Sequence, residues 1–222
     1  MYAQIDLSVI FPWVAGTLAA VVALVAAEHS NSAARRAVLK TTAALGFVGL
    51  AVTHGQVETG FGLWILIGLL LSLTGDVCLL PRGAGRSFLV GIGSFLLAHL
   101  AYLCAFLHIG VDFSWLIGSV VLLGPIGWAI HRWLSPDIPE KLRLPVLIYI
   151  VVIIAMVAGA IGAWGRDQTL YLLPITAGLF MLSDVGVAMT RFKSAGISTK
   201  IWASPSYFVA QLMFAMHTLM GL

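Results

Sequence analysis

Two aspartates of this 222-residue chain lie inside apolar segments that are long enough to cross a membrane. Asp76 stands in the run LLLSLTGDVCLLPR, and Asp184 stands in AGLFMLSDVGVAMTR. A carboxyl group at membrane depth costs free energy, and it is retained where it faces a partner or a water-filled cavity. Each aspartate is therefore a candidate functional residue, and their similar surroundings predict that both belong to one site.

The composition is typical of a polytopic membrane protein. Hydrophobic residues make up 60% of the chain, charged residues make up 9%, and the mean hydropathy is +1.03, well above the range of soluble domains. Segments able to cross about 30 Å of hydrocarbon cover residues 8–27, 37–53, 61–80, 88–107, 114–130, 144–164, 169–189 and 202–221. We therefore expect an all-α fold with eight transmembrane helices that form one domain over residues 1–222. Because the connecting loops are short, any functional site must consist of helix side chains.

The distribution of Lys and Arg predicts the orientation in the membrane. Positive residues collect in cytoplasmic loops, and all 12 lysines and arginines except Arg166 fall in the first, third, fifth and seventh loops. We therefore expect both termini on the non-cytoplasmic side. The first segment contains no Lys or Arg and is preceded by Asp6, which favours a retained helix over a cleaved signal peptide. The net charge of +3 reflects the loop bias and gives no reason to expect a nucleic-acid partner.

A possible four-plus-four repeat relates the two halves of the chain. The third and seventh predicted helices both carry a small residue followed by Asp-Val, and residues 94–102 align with residues 206–214, with His99 opposite Gln211. The alternative is chance similarity between apolar segments. If the repeat is real, a pseudo-twofold axis along the membrane normal relates the two aspartates.

The depth of the two aspartates is also similar. Asp76 lies six residues before Arg82, and Asp184 lies seven residues before Arg191. At 1.5 Å per residue, each carboxyl is expected about 9–10 Å inside the cytoplasmic boundary.

Other polar residues are predicted to form a pocket with the aspartates, open toward the inner leaflet. The candidate substrate-binding residues are Lys40, Tyr149, Tyr207, Gln211, His99 and Ser183. We expect Ser72, Tyr102 and Thr218 to hydrogen-bond between helices instead. Lys40 has the alternative role of extending to lipid phosphates as a topology anchor.

Metal and cofactor chemistry is not predicted. The six histidines include no HExxH motif or paired His/Cys spacing of the kind that binds zinc. Cys78 and Cys104 fall inside predicted helices, so we expect them to pack as small polarizable side chains rather than to form a disulfide.

In order and spacing, these residues resemble the YhhN-like family of membrane lysoplasmalogenases, which have eight helices, and the resemblance covers nearly the whole chain. The matching positions are Lys40, Gly75, Asp76, Leu79, His99, Tyr102, Pro145, Tyr149, Phe180, Ser183, Asp184, Tyr207, Ala210 and Gln211. One departure is that Lys40 precedes Thr41, where proline is common in the family. This puts the local geometry of the second helix in question.

The resemblance implies hydrolysis of the vinyl ether bond of lysoplasmalogens to a fatty aldehyde and glycerophosphoethanolamine or glycerophosphocholine. Asp76 and Asp184 are then the catalytic residues, and the partners are a lysophospholipid substrate and membrane lipids. Vinyl ethers hydrolyse by protonation at carbon, which gives an oxocarbenium ion that water captures. One neutral and one ionised carboxyl suit both steps, as in glycosidases, and the sequence leaves open which aspartate is the acid. Lys40, with a Tyr, is expected to hold the substrate phosphate.

Other functions remain as alternatives. A proton-coupled transporter of a small or lipid-like substrate also uses buried aspartates, whereas an intramembrane GxGD peptidase is disfavoured because position 73 is Leu. A protonated aspartate pair joining helices in a non-catalytic scaffold is the third alternative. The Ala/Gly/Val/Leu-rich body favours a bacterial inner membrane over the endoplasmic reticulum. Headgroup preference and oligomeric state are left open.

Overall fold

The structure is a computed structural model that describes residues 7–28, 32–54, 57–80 and 85–220. Asp6 and Arg82, which entered the arguments on the first segment and on depth, lie outside the described residues, as do the last residues of the chain.

Within those ranges the fold is entirely helical, as the sequence predicts, with eight long α-helices and no strand. The long helices are α1 (Leu7–Ala27), α2 (Ala33–His54), α3 (Gly60–Cys78), α4 (Arg86–Ile109), α5 (Phe113–Leu134), α6 (Glu140–Arg166), α7 (Leu172–Phe192) and α8 (Ile197–His217). Single 3-10 turns occupy Ser135–Asp137, Gln168–Leu170 and Thr218–Met220.

Seven of the described helices, α1 to α7, are long and apolar enough to cross a membrane by length and composition. The remaining helix, α8, has a similar length of 21 residues but includes Lys200, Gln211 and His217 among its polar positions. The chain is therefore an integral multi-pass membrane protein.

Polar side chains cap the N-termini of helices at one end of the bundle. Most of the basic residues lie at the opposite end. The Thr59 hydroxyl accepts a hydrogen bond from the Gly62 amide at 3.0 Å and caps α3, and the Asp112 carboxylate caps α5. Such caps satisfy amide groups that have no partner within the helix. Asp167 caps the 3-10 turn that precedes α7. Hydrogen bonds from the hydroxyl and amide of Thr169 hold the pKa of its exposed carboxyl below the usual range.

The long helices pack as four sequential antiparallel pairs, α1 with α2, α3 with α4, α5 with α6 and α7 with α8, most closely α3 with α4 and α7 with α8. Glycines permit the contact between α3 and α4, because a Cβ on Gly75 would lie 2.6 Å from the ring of Phe95. Helix α8 also contacts α1, α2 and α3, which brings its polar residues into the bundle. Helix α5 lies at the periphery against α6 and exposes a large apolar surface, including Val121 and Leu122.

Candidate active site

A cavity of about 700 Å³ lies within the bundle, and residues from the region of all eight helices line it. Both Asp76 and Asp184 are among the lining residues, with Lys40, Tyr149, Tyr207 and Ser183. The prediction that the two aspartates lie at one site therefore agrees with this geometry.

Asp76 is buried at 2% exposure and is held by two hydrogen-bond donors. The Lys40 ammonium lies 2.9 Å from Oδ1, and the Tyr207 hydroxyl donates to Oδ2 at 2.7 Å. A buried carboxylate needs both a counter-charge and hydrogen bonds to offset its desolvation. Asp76 has both, one from α2 and one from α8.

Asp184 is slightly more accessible, at 11% exposure, and has different partners. The Tyr149 hydroxyl donates to Oδ2 at 3.1 Å, and His99 Nε2 lies 3.0 Å from the same oxygen. His99 is fully buried, and its Nδ1 lies 2.6 Å from the carbonyl oxygen of Phe95. The Asp184 site therefore contains an imidazole where the Asp76 site contains an ammonium.

The partners of the two aspartates are crossed between the first four and the last four helices. Asp76 of α3 is bound by Lys40 of the preceding helix and by Tyr207 of α8. Asp184 of α7 contacts Tyr149 of the preceding helix and His99 of α4. Each carboxyl thus takes one partner from its own half of the chain and one from the other half.

Aromatic rings connect the partners of the two carboxyls. Phe180 is fully buried, stacks on His99 with ring centroids 4.3 Å apart, and lies 5.7 Å from the ring of Tyr207. Phe95 makes edge contacts with both Phe180 and Tyr207. These contacts restrict the rotamers of the residues that hold the aspartates.

Gln211 and Ser183, two other candidate binding residues, make hydrogen bonds within the protein. Gln211 lies behind the cavity wall, where its Oε1 accepts from the Tyr102 hydroxyl at 2.6 Å and its Nε2 donates to Ser72 at 3.1 Å. This network joins α3, α4 and α8, the role expected for Ser72 and Tyr102. Ser183 lines the cavity, but its hydroxyl donates to the Phe180 carbonyl of its own helix. The Thr218 hydroxyl likewise bonds to a backbone carbonyl nearby.

Basic residues that the sequence analysis did not single out line the end of the cavity where α2 and α8 begin and α7 ends. They are Arg36, Arg191 and Lys200. Lys200 donates to Glu28 at 2.7 Å, and the Arg191 guanidinium lies 3.7 Å from the ring centroid of Phe88. A signal was available for Arg36, because it lies one helical turn before Lys40 and thus on the same face.

Across the described part of the chain, no three His, Cys, Asp or Glu side chains are grouped so that they could hold a metal ion. Cys78 and Cys104 are free, partly buried thiols.

The fold and the cavity define a polytopic helical membrane protein with two carboxyl groups facing one chamber. The chain belongs to the YhhN family, whose model matches residues 35–218, and the resemblance seen in the sequence is confirmed. Curated relatives named lysoplasmalogenase from Mycobacterium bovis and Mycobacterium tuberculosis are each 31% identical over 156 residues, which cover 68% of this chain and 58% of the relative. Human lysoplasmalogenase TMEM86B is 28% identical over 156 residues, 68% of this chain and 61% of the human protein.

The chain thus spans about three fifths of the length of the curated relatives that it matches, 58% to 61%. No solved structure matches it.

Proposed function

We propose that the protein is a membrane-embedded hydrolase of lysoplasmalogens. It cleaves the vinyl ether bond and releases a fatty aldehyde and glycerophosphoethanolamine or glycerophosphocholine. The observation that carries this proposal is that Asp76 and Asp184 line one cavity with different donors. The names of the relatives support the same reaction class.

The chemistry of a vinyl ether fits two carboxyl groups in different environments. Protonation of the alkenyl carbon gives an oxocarbenium ion, and attack by water then gives a hemiacetal that collapses to aldehyde and alcohol. The first step needs a neutral acid, and the second needs an anion to stabilise the cation and accept a proton from water. The crossed partners of Asp76 and Asp184 supply two such environments.

The cavity suits a single-chain lipid with an anionic headgroup. Its apolar wall includes Ile126, Ile150 and Ile154 of α5 and α6, which would contact the hydrocarbon chain. The phosphate would bind at the end of the cavity lined by Arg36 and Arg191, because guanidinium groups bind phosphate bidentately. The sequence predicted this role for Lys40, but in the structure Lys40 pairs with Asp76.

The test is incubation of the purified protein with alkenyl-, alkyl- and acyl-lysophospholipids of one chain length, followed by mass spectrometry. We expect aldehyde from the alkenyl lipid alone. Asp76→Asn and Asp184→Asn should each reduce turnover about 100-fold or more, whereas the control Asp137→Asn, outside the cavity, should not. Hydrolysis of the acyl lipid, or near-normal rates in either catalytic variant, would refute the proposal.

The headgroup assignment has its own experiment. Arg191→Gln should raise KM for the lysophospholipid with little change in kcat, because the interaction is present before and during the reaction. Arg132→Gln is the matched control, since Arg132 is an exposed cation at the end of α5 and is not among the described lining residues. Equal effects of the two substitutions would contradict the assignment.

The alternative function is proton-coupled transport of a small or lipid-like substrate. It predicts gradient-dependent uptake into liposomes without a chemical product, whereas the hydrolase releases aldehyde without a gradient. Transporter sites are commonly formed by discontinuous helices. Helices α3 and α7, which carry the two aspartates, run unbroken, and this favours the hydrolase.

We extend the proposal to the organisation of the protein in the membrane. Residues 1–222 form one domain, both termini lie on the non-cytoplasmic side, and the protein resides in a bacterial inner membrane. The two sets of four helices form a parallel repeat. The crossed contacts support the repeat, because Lys40 and Tyr149 occupy corresponding helices of the two halves, as do His99 and Tyr207.

A further inference from the structure

We infer that the two carboxyls have fixed and different protonation states: Asp184 shares a proton with His99, and Asp76 is ionised. This makes Asp184 the general acid, Asp76 the anion that stabilises the cation and accepts a proton from water, and His99 the residue that holds the proton of the acid in position. The catalytic meaning of this inference rests on the proposed function, whereas the charge assignment is a property of the folded protein.

The hydrogen-bond partners of Asp76 require it to accept. The Lys40 ammonium at 2.9 Å has three donors and no acceptor. The Tyr207 hydroxyl donates to the other oxygen at 2.7 Å. A carboxylate accepts both bonds and forms a neutral pair with the ammonium, whereas a protonated carboxyl next to Lys40 would leave a buried positive charge without its counter-ion.

The tautomer of His99 follows from the chemistry of its backbone contact. Nδ1 lies 2.6 Å from the carbonyl oxygen of Phe95. A carbonyl oxygen only accepts hydrogen bonds, so the proton of this bond must be on Nδ1. A neutral imidazole with a proton on Nδ1 has a bare lone pair on Nε2.

The contact between His99 and Asp184 therefore contains another proton. Nε2 of His99 lies 3.0 Å from Oδ2 of Asp184. The contact is close without being aligned as a hydrogen bond. If Asp184 were ionised and His99 neutral, two acceptor atoms would still lie 3.0 Å apart in a buried site and repel each other. A proton on either atom removes this repulsion, and in both cases the pair is electrically neutral.

Packing around His99 restricts rotation of its imidazole ring. The ring is fully buried, stacks on Phe180 with centroids 4.3 Å apart, and contacts the edge of Tyr149 at 5.4 Å. A ring flip would remove the bond to the Phe95 carbonyl and leave the N–H of the buried ring without a partner, which is costly.

The surrounding charges favour the same assignment. Among the described residues, the groups near Asp184 include the hydroxyl donor Tyr149, the second carboxyl Asp76 and the more distant Tyr207. Repulsion between Asp76 and Asp184 disfavours two anions in one apolar cavity. Lys40 neutralises Asp76 directly, so the proton resides on the Asp184 side.

The roles follow from which groups reach the cavity. Asp184 lines the cavity, and His99 lies behind the wall with no exposed surface. Asp184 can therefore touch a substrate, whereas His99 acts through Asp184. His99 is a positioning residue that maintains the proton supply of the acid.

Over one turnover each aspartate gives up and regains the same number of protons. Asp184 gives its proton to the alkenyl carbon and becomes ionised as the oxocarbenium ion forms. Water adds to the cation, and Asp76 takes the released proton. In the collapse of the hemiacetal, Asp184 takes the hydroxyl proton while Asp76 protonates the departing glyceryl oxygen. Both residues return to their starting states, and one water molecule is consumed.

Infrared difference spectroscopy of the protein without substrate tests the charge assignment directly. Wild type minus Asp76→Asn should contain ionised carboxylate bands. Wild type minus Asp184→Asn should contain a protonated-carboxyl band or, with labelled histidine, an imidazolium band, and His99→Gln should remove the same band. An ionised Asp184 beside a neutral His99, or a protonated Asp76, would overturn the inference. Because His99→Gln keeps both carboxyls, it serves as the second variant if Asp184→Asn does not fold.

Kinetics of His99→Gln with the alkenyl lipid test the positioning role. The Gln side chain still forms hydrogen bonds but does not hold a transferable proton, so kcat should fall about 100-fold while KM changes less than about twofold. The control Thr176→Val removes a buried hydroxyl of α7 that donates to the Leu172 carbonyl, and it should leave kcat within about threefold of wild type. Wild-type kcat in His99→Gln would overturn the role. If no lipid is cleaved while the infrared assignment holds, the proposed function fails and the charge assignment stands.

Discussion

Lys40 is the counter-ion of the buried Asp76 carboxyl, and its removal should therefore destabilise the protein. Replacing Lys40 with Met removes the cation 2.9 Å from a carboxyl that is 2% exposed. At an effective dielectric constant of about 20, a pair at this distance interacts by roughly 6 kcal/mol. Lys40 is 26% exposed, so solvent reduces this value.

Protonation of Asp76 in the Lys40→Met variant limits the loss of stability further. A carboxyl of ordinary acidity costs about 4 kcal/mol to protonate at pH 7, and Asp76 would take up a proton once the penalty for remaining charged exceeded that cost. We therefore expect Lys40→Met to lower the free energy of unfolding by about 2–4 kcal/mol. Loss of kcat should accompany it, because a neutral Asp76 no longer accepts a proton.

A double-mutant cycle measured by reversible unfolding in mixed micelles provides the assay. Lys40→Met combined with Asp76→Asn removes both charges, so the double variant should be more stable than the sum of the single effects predicts, by about 2 kcal/mol or more. The control is Lys193→Met, which breaks a contact with the exposed Asp137 and should cost less than about 1 kcal/mol. Additive effects in the Lys40 cycle would refute the argument that Asp76 is a buried anion held by Lys40.

Two further predictions concern helix packing and helix capping. Gly75→Ala places a Cβ 2.6 Å from the Phe95 ring and should lower the free energy of unfolding by about 1–3 kcal/mol. The control Gly93→Ala places a Cβ with nothing within 4 Å and should not lower it. Equal losses of stability in the two variants would contradict the packing argument. Thr169→Val removes the hydroxyl donor that lowers the pKa of Asp167, so this pKa should rise toward its usual value in a carboxyl NMR titration. The stabilisation that ionised Asp167 gives at neutral pH should then be smaller, and its loss on acidification should be complete at a higher pH. An unchanged titration curve would argue against the bond.

The helices and the shared location of the two aspartates were predictable, because apolar length sets helix position and loop charges indicate depth. The hydrogen-bond partners of each aspartate could not be predicted from the sequence. Depth alone made Lys40 a phosphate ligand and gave His99 and Gln211 equivalent roles, whereas the structure pairs Lys40 with Asp76, His99 with Asp184, and Gln211 with Tyr102. Which side chains meet depends on helix rotation and crossing, which hydropathy does not encode.

Hydropathy also understates α8, since this helix falls outside the seven that qualify by composition among the described residues. The polar residues that lower its hydropathy include Tyr207 and Gln211, which bond to Asp76 and to Tyr102. The long helix that composition alone would miss therefore contributes both to the site and to its supporting network.

The site depends on the relative position of the first four and the last four helices, because each aspartate has one partner in the other set. A slide of one set past the other by a single side-chain length would detach Tyr207 from Asp76 and His99 from Asp184 together, while Lys40 and Tyr149 remained attached. A change in bilayer thickness or a bound lipid that shifted the two sets of helices would thus remove one partner from each aspartate at the same time. Both carboxyls would then lose their function without the unfolding of any helix.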